Sequence, residues 1–305
     1  MGGVIMGREF KASIMLFFTS IIWGLAFVAQ AQGMEFIGPF TFTAVRSLVA
    51  IIFLYLTYLF FNKTSKSYRE QKFDMKKTIR GGVLCGLVFT FGINFQQFGL
   101  IYTTAGKASF LTALYIVFLP IIGLFSGKRI NRKLLLCIVL AMLGTYLMSI
   151  KGSLSMNRGD FITIMGAIVF AIHILMLAEF SVDTNAVLVS LFQFAICGII
   201  SFLAALVFEE INISAILKSY IAILYVGILS SGVGFTIQIM ALKELDPVIA
   251  SMISSLESVF GAIFGWLILS QRMSEREIIG AVIIFIATLI AQLPIESYLK
   301  KKFDR

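Results

Sequence analysis

Two apolar stretches, GLIYTTAGKASFLTALYIVFLPIIG at residues 99–123 and ALKELDPVIASMISSLESVFGAIFG at 241–265, match each other when the chain is shifted by 142 positions. The matched residues include an Ala-Ser pair, a Val-Phe pair and the final glycine of each stretch. The same shift places Gly92 on Gly234 and Gln96 on Gln238. Matched glycine, serine and glutamine residues are harder to attribute to chance than matched leucines, so we interpret the pattern as an internal duplication.

The composition of the whole chain is that of a membrane protein. Of the 305 residues, 59% are hydrophobic and only 13% are charged. A soluble domain is about half apolar and about a quarter charged. The apolar residues form runs of about 20, which is the length needed to cross a hydrocarbon core of roughly 30 Å. The sequence therefore predicts a polytopic helical membrane protein.

We predict ten membrane-spanning helices, five in each copy. Because five is an odd number, the second copy must enter the membrane in the opposite orientation, an architecture found in secondary transporters. The predicted fold class is all-α integral membrane, with a first five-helix repeat at 1–151 and a second, inverted repeat at 152–305. The predicted spans are 12–33, 38–61, 80–101, 104–126, 133–150, 159–180, 184–207, 218–241, 246–269 and 276–294.

Lysine and arginine residues set the predicted orientation. With the N-terminus inside, the cytoplasmic segments hold eighteen of these residues and the opposite side holds six. The positive-inside rule then places both termini in the cytoplasm, with a basic cytoplasmic loop at 62–79 and a short basic tail. We expect the protein in the cell membrane (inner or plasma), surrounded by lipid. The sequence leaves the oligomeric state open, a monomer included.

Glu257 is the acid that stands out, because it lies near the middle of the ninth span. On insertion scales a central acidic residue costs about 2.5–3.5 kcal/mol, and such residues usually face a bundle interior or a cavity. A helical projection places Glu257 at the edge of a small, polar face that includes Ser254. Glu257 is a candidate to exchange a proton or to pair with a cationic substrate. The alternative is that it only holds helices together through a hydrogen bond.

Tyr115 is the repeat mate of Glu257 under the 142-residue shift. If Glu257 faces a cavity, Tyr115 is expected to face it too, because repeat mates occupy equivalent faces. A tyrosine opposite an acid makes the site asymmetric, which suits a ligand that binds in one direction. The alternative is a tyrosine that only packs.

Arg46 and His173 are the other ionisable residues placed inside predicted spans. Arg46, whose counterpart 147 positions later is Gln193, is a candidate for recognising a carboxylate or phosphate. The alternative is a structural residue that reaches carbonyls or snorkels outward. His173 is a candidate proton relay beside Glu257, or a satisfied interior histidine. The remaining predicted lining residues are Trp23, Asn94, Gln97 and Gln238, with Gln30 and Gln96 as further candidates.

Other function classes lack their motifs in this chain. The sequence contains no zinc-protease, intramembrane-protease or nucleotide-binding motif, so we expect neither an enzyme nor a primary pump. The three cysteines each fall in a different apolar run and form no CxxC pair, so we predict buried small residues, no metal and no cofactor. The net charge of +9 comes mainly from residues between the spans, where it orients helices, and nucleic acid is not an expected partner.

Several short motifs resemble the EamA-like branch of the drug/metabolite transporter superfamily, over essentially the whole chain. Two of them are basic links, Ser126-Gly127-Lys128-Arg129-Ile130 and Leu269-Ser270-Gln271-Arg272-Met273. The others are Ser20-x-x-Trp23-Gly24-x-x-Phe27 in the first span and Pro39 followed by Arg46 in the second. The chain departs from the family pattern at Lys128 and Gln271, where the family commonly has glutamate.

The resemblance implies a carrier of small metabolites or drugs, often an exporter. It also implies a central cavity lined by spans one to four and six to nine, with spans five and ten at the periphery. The predicted function is a secondary transporter, an exporter of amino acids or related compounds, that works by alternating access around a midplane cavity with possible proton coupling. The alternative is a passive facilitator or a channel for small polar solutes.

Overall fold

The computed structural model describes residues 2–125, 132–149, 157–270 and 274–292. All regular secondary structure in these ranges is helical, which confirms the predicted all-α class. The first half contains α1 (Gly2–Gly33), α2 (Pro39–Thr64), α3 (Lys66–Arg69), α4 (Met75–Tyr102), α5 (Ala105–Ala113), α6 (Tyr115–Phe125) and α7 (Arg132–Ser149).

The second half is also helical. It contains α8 (Arg158–Ser181), α9 (Ala186–Phe208), α10 (Ile213–Lys218), α11 (Tyr220–Leu224), a π-helix (Tyr225–Gly234), α12 (Phe235–Ala241), α13 (Pro247–Ser254), α14 (Glu257–Leu269) and α15 (Glu275–Gln292).

Eight segments of the described chain are long and apolar enough to cross a membrane, and α15 contributes a shorter apolar helix at Ile278–Ala291. The eight segments correspond to predicted spans one to four and six to nine. The helices α7 and α15, at predicted spans five and ten, pack mainly on each other. The total of ten spans stays a prediction, as does the division into repeats at 151 and 152.

Two spans are interrupted near their middles. The fourth span is divided at Leu114 into α5 and α6, and the ninth is divided at Ser255 and Leu256 into α13 and α14. At both points the backbone tightens, with Leu114 N–H donating to Leu111 O and Leu256 N–H donating to Ile253 O. Pro120 does not cause the interruption of the fourth span, because the interruption lies six residues earlier and α6 continues through Pro120.

Serine hydroxyls explain the interruption in the ninth span. Ser251, Ser255 and Ser258 each donate a hydrogen bond of 2.7 Å to the backbone carbonyl three residues earlier. Such bonds compete with the helical ladder and commonly bend helices. The same span begins with a capped first turn, because Asp246 accepts from Val248 N–H and Pro247 occupies the first helical position.

The eighth span is not a uniform α-helix. Residues Tyr225–Gly234 form a π-helix between α11 and α12. This segment, YVGILSSGVG, contains three glycines and two serines, and π-helical turns occur frequently at functional sites. The prediction of a regular span at 218–241 missed this feature, because π-helices leave no clear periodic signal in a sequence.

The interior lies between helices of the two halves. The helix α4 packs against α8 and α9, α2 packs against α9, and α1 packs against α14 and the π-helix. The three cysteines are buried and free, as predicted. They lie among a large apolar cluster that also contains Leu16, Phe89 and Phe194.

The polar links at the two ends of the bundle join segments that were predicted on the same side of the membrane. At one end, Lys107 Nζ lies 2.6 Å from Asp160 Oδ2, and the Glu209 carboxylate accepts from the N–H groups of Phe40 and Thr41. At the other end, Lys243 Nζ donates to Thr184 O at 2.7 Å. Burial lowers the pKa of Lys243. The placement of the second end in the cytoplasm stays a prediction.

Candidate substrate-binding site

A cavity lies between the two halves at the level of the interrupted helices. Its volume is about 50 Å³. The space is therefore enough for a few waters and is narrow for a metabolite. The lining residues are Trp23, Ala26, Phe27, Gln30, Arg46, Ile93, Gln96, Thr112, Tyr115, Phe170, His173, Ile174, Ser230, Phe235, Gln238 and Glu257.

Glu257 and Tyr115 face each other across this cavity. Glu257 is the first residue of α14 and Tyr115 is the first residue of α6, so each directly follows a helix interruption. The two side chains are 5% and 4% exposed. The Tyr115 hydroxyl lies close enough to interact electrostatically with the Glu257 carboxyl, but it forms no hydrogen bond of ordinary geometry. The site thus holds a carboxyl group beside a buried hydroxyl that has no hydrogen-bond partner.

Arg46 is positioned by two glutamines. Its Nη1 donates to Gln30 Oε1 at 2.9 Å, and the same oxygen also accepts from Gln97 Nε2. Gln30 is fixed in turn, because its Nε2 donates to Ala26 O within α1. The Arg46 side chain is 1% exposed, and its Nε and Nη2 have no hydrogen-bond partner.

In the second half, His173 is the sequence counterpart of Gln30. A shift of 143 positions places Gln30 on His173 and Phe27 on Phe170, and a shift of 147 positions places Arg46 on Gln193. In sequence, the pair His173–Gln193 therefore corresponds to the pair Gln30–Arg46. The His173 Nε2 lies 2.8 Å from Gln193 Oε1. The imidazole packs 5.2 Å from the ring of Phe89, measured between centroids. One half of the site therefore presents a guanidinium and the other an imidazole.

Trp23 closes the cavity beside the π-helix. Its Nε1 donates to Ser230 O at 3.2 Å, and its ring lies 4.9 Å from that of Phe235. Gly234 permits this approach, because a Cβ at that position would lie 2.7 Å from Trp23 Nε1. The π-helix thus brings a backbone carbonyl and an aromatic ring to the first span.

Three predicted lining residues are not among those that border the cavity. Asn94 donates to Thr90 O and to the Ser201 hydroxyl, so it links α4 to α9 instead. Gln97 donates from its Nε2 to Gln30 Oε1 and so helps to fix the Gln30 side chain. Ser254 is buried with an unpartnered hydroxyl at the end of α13. Six predicted residues line the cavity, which are Glu257, Tyr115, Trp23, Gln238, His173 and Arg46. The role of all nine residues in substrate binding stays a prediction.

The sequence did not predict eight of the lining residues, which are Ala26, Phe27, Ile93, Thr112, Phe170, Ile174, Ser230 and Phe235. Thr112 accepts a hydrogen bond from Gln96 Nε2 at 3.2 Å, so this predicted amide is tied to α5. Phe170 has a sequence signal, since the 143-residue shift pairs it with Phe27. Ser230 contributes only its backbone carbonyl to the bond with Trp23, and no side-chain pattern reports that.

No group of three or more metal-ligating side chains occurs among the residues that the structure describes. The basic links at 126–130 and 271–273 lie outside the described ranges, so the departures at Lys128 and Gln271 have no structural account.

Comparison with protein families identifies the chain. The model of the EamA-like transporter family matches residues 10–150 and 157–292. The chain belongs to the EamA-like transporter family. It is therefore a multi-pass membrane transporter, as the resemblance of its motifs predicted.

Proteins that are similar to this chain over nearly their whole lengths are named as transporters. An uncharacterized transporter of Archaeoglobus fulgidus is 28% identical over 296 residues, which cover 96% of this chain and 89% of the relative. The uncharacterized transporter YoaV of Bacillus subtilis is 22% identical over 281 residues, which cover 90% of this chain and 94% of the relative. One solved crystal structure shares the fold with a TM-score of 0.70 at 16% identity, and the match covers 92% of this chain and 96% of that one.

Proposed function

We propose that this EamA-like protein is a secondary transporter that exports amino acids or related small metabolites by alternating access, with proton coupling through Glu257. The observation that carries the proposal is the buried Glu257 carboxyl, which faces Tyr115 in a cavity between the two halves. Among the described residues that line this cavity, Glu257 is the one carboxylic acid. A substrate site at the interface of inverted repeats is the arrangement on which alternating access depends.

The width of the cavity favours a carrier over an open pore. The volume of the cavity, about 50 Å³, is far below the roughly 300–1,000 Å³ of ordinary ligand sites. A metabolite therefore requires the helices around the cavity to move before it binds. The interruptions at Leu114 and Leu256 supply places where the fourth and ninth spans can bend.

Proton coupling follows from where Glu257 lies. An ionised carboxylate in a narrow apolar site is costly, so its charge should depend on whether the cavity is open to water and occupied. A group that gains a proton on one side and loses it on the other exchanges a proton for substrate in each cycle. His173 is the second candidate for this role, although it is engaged with Gln193.

The test is transport by purified protein in proteoliposomes, first screened with radiolabelled amino acids. Glu257→Gln should abolish accumulation driven by a pH gradient and retain exchange of substrate for substrate. Glu244→Gln, at an exposed loop position, is the matched control and should behave as the wild type. If Glu257→Gln accumulates substrate as well as the wild type, coupling through Glu257 is wrong. If the flux through the wild-type protein does not depend on the pH gradient, the protein is a facilitator.

A further inference from the structure

Arg46 is a buried cation whose hydrogen-bonding capacity is only partly used. It is 1% exposed, it lines the cavity, and it forms no ion pair with an acid of the described residues. Buried charges in proteins are usually paired, because desolvation of an unpaired ion is costly. Only its Nη1 has a partner, the amide oxygen of Gln30.

The two unpartnered nitrogens of Arg46 form a geometric pair. In a guanidinium group, Nε and Nη2 lie on one edge, and their N–H bonds on that edge point in parallel. This edge is one of the forks that bind both oxygens of a carboxylate. The hydrogen bond to Gln30 occupies Nη1 and leaves the Nε–Nη2 edge unoccupied. Gln30 therefore acts as a positioning residue for the fork.

Neither structural role foreseen for Arg46 explains this arrangement. A snorkelling arginine places its guanidinium at the membrane surface, whereas this one is fully buried at the cavity. An arginine that pins helices donates to backbone carbonyls, whereas the bond made by Arg46 goes to the Gln30 side chain. The buried donors therefore point to a ligand that the protein itself does not supply.

We propose that the Nε–Nη2 edge of Arg46 binds the carboxylate of the transported substrate. The proposal rests on the proposed function, because it concerns the same cavity. The polar groups of the cavity divide by chemistry, with hydrogen-bond donors at Arg46 and the Glu257 carboxyl as the acidic group. This arrangement fits a zwitterion, such as an α-amino acid, whose carboxylate binds Arg46 while its ammonium group turns toward Glu257.

The test measures binding separately from transport. Each of the twenty proteinogenic L-amino acids and its matching amide is added to purified protein, and the thermal unfolding midpoint is followed as a function of concentration. At least one acid should bind the wild type about tenfold or more tightly than its amide, because a charge-assisted bidentate pair is lost in the amide. Arg46→Gln should reduce this ratio to about one.

Two further variants keep the outcome decisive. Arg46→Lys retains the charge but lacks the planar fork, so it should also lose most of the preference for the acid. It replaces Arg46→Gln if that protein does not fold. Arg158→Gln removes an exposed arginine and should keep the wild-type ratio.

The proposal is overturned if no amino acid stabilises the wild type, or if both Arg46 variants still prefer the acid. Either result leaves coupling through Glu257 open to its own flux test. Conversely, an intact preference that depends on Arg46 would stand even if Glu257→Gln still responded to a pH gradient.

Discussion

Leu114 and Leu256, which are 142 residues apart, interrupt their helices with almost the same backbone geometry. Their φ and ψ angles are −59° and −12° at Leu114, and −59° and −15° at Leu256. The next residue is Tyr115 in one case and Glu257 in the other. The duplicated spans therefore share the backbone feature and differ in the side chain that it presents to the cavity.

This difference matters for function. Interrupted helices at membrane depth are tolerated where they are buried in protein or line a cavity, and here both interruptions lie at the cavity. The two interruptions are alike in backbone geometry, while only the one in the ninth span is followed by a carboxylic acid.

Tyr115→Phe tests whether the hydroxyl works with Glu257. Because the Tyr115 hydroxyl is buried without a hydrogen-bond partner, its removal should leave the thermal unfolding midpoint unchanged or slightly higher. If the hydroxyl forms one hydrogen bond to Glu257 during the transport cycle, transport driven by a pH gradient should fall by about fivefold. Tyr102→Phe, at a 55% exposed position, is the control. Unchanged transport by Tyr115→Phe would identify Tyr115 as a packing residue.

Gly24→Ala tests the close contact between the first and ninth spans. An added Cβ at Gly24 would lie 2.8 Å from the backbone nitrogen of Gly261 and 2.8 Å from the Phe260 carbonyl carbon. Backbone atoms cannot move aside locally, so we expect a loss of stability of about 1–3 kcal/mol. Gly7→Ala is the matched control in the same helix, because nothing lies within 4 Å of its added Cβ. Thermal unfolding in detergent measures both, and equal midpoints would contradict the packing described.

The ion pair between Lys107 and Asp160 should respond asymmetrically to substitution. The Asp160 side chain is 2% exposed and that of Lys107 is 30% exposed. Lys107→Met leaves a buried carboxylate whose Oδ2 keeps only the N–H of Asn157 as a donor, whereas Asp160→Asn leaves a lysine that can reach solvent. We expect Lys107→Met to be the more destabilising, by about 1–3 kcal/mol, and the double variant to recover part of the loss. A double-mutant cycle on thermal unfolding measures the coupling, and additive effects would show that the pair contributes nothing.

The sequence predicted the parts of the site that carry repeat or charge signals. Glu257 and Arg46 stand out as charges inside apolar spans, and Tyr115 follows from the shift that aligns the two halves. All three line the cavity. The all-α fold and the family could also be predicted, because apolar runs and matched small residues can be recognised in the sequence without knowledge of tertiary contacts.

The features that the sequence did not predict depend on contacts between distant segments. Asn94 was expected to line the cavity but turns to Ser201, because a neighbouring helix offers its hydroxyl. The fork of Arg46 depends on Gln30 and Gln97, which come from two other helices. The π-helix and the contact of Trp23 with Ser230 O are likewise tertiary features. Helical periodicity places residues on a face but does not say which neighbour covers that face.

Tryptophan fluorescence can test ligand binding in the cavity, because only one of the two tryptophans of the chain lines it. Trp23 is 7% exposed and donates to Ser230 O, whereas Trp266 is 51% exposed on α14. Trp266→Phe leaves Trp23 as the single tryptophan and should retain wild-type transport, because it changes only an exposed ring. The emission of this variant should change when an amino acid that stabilises the protein is added. Trp23→Phe, which loses the bond to the π-helix, should show no such change and should transport more slowly. A response that persists in Trp23→Phe and is absent in Trp266→Phe would place the ligand away from this cavity.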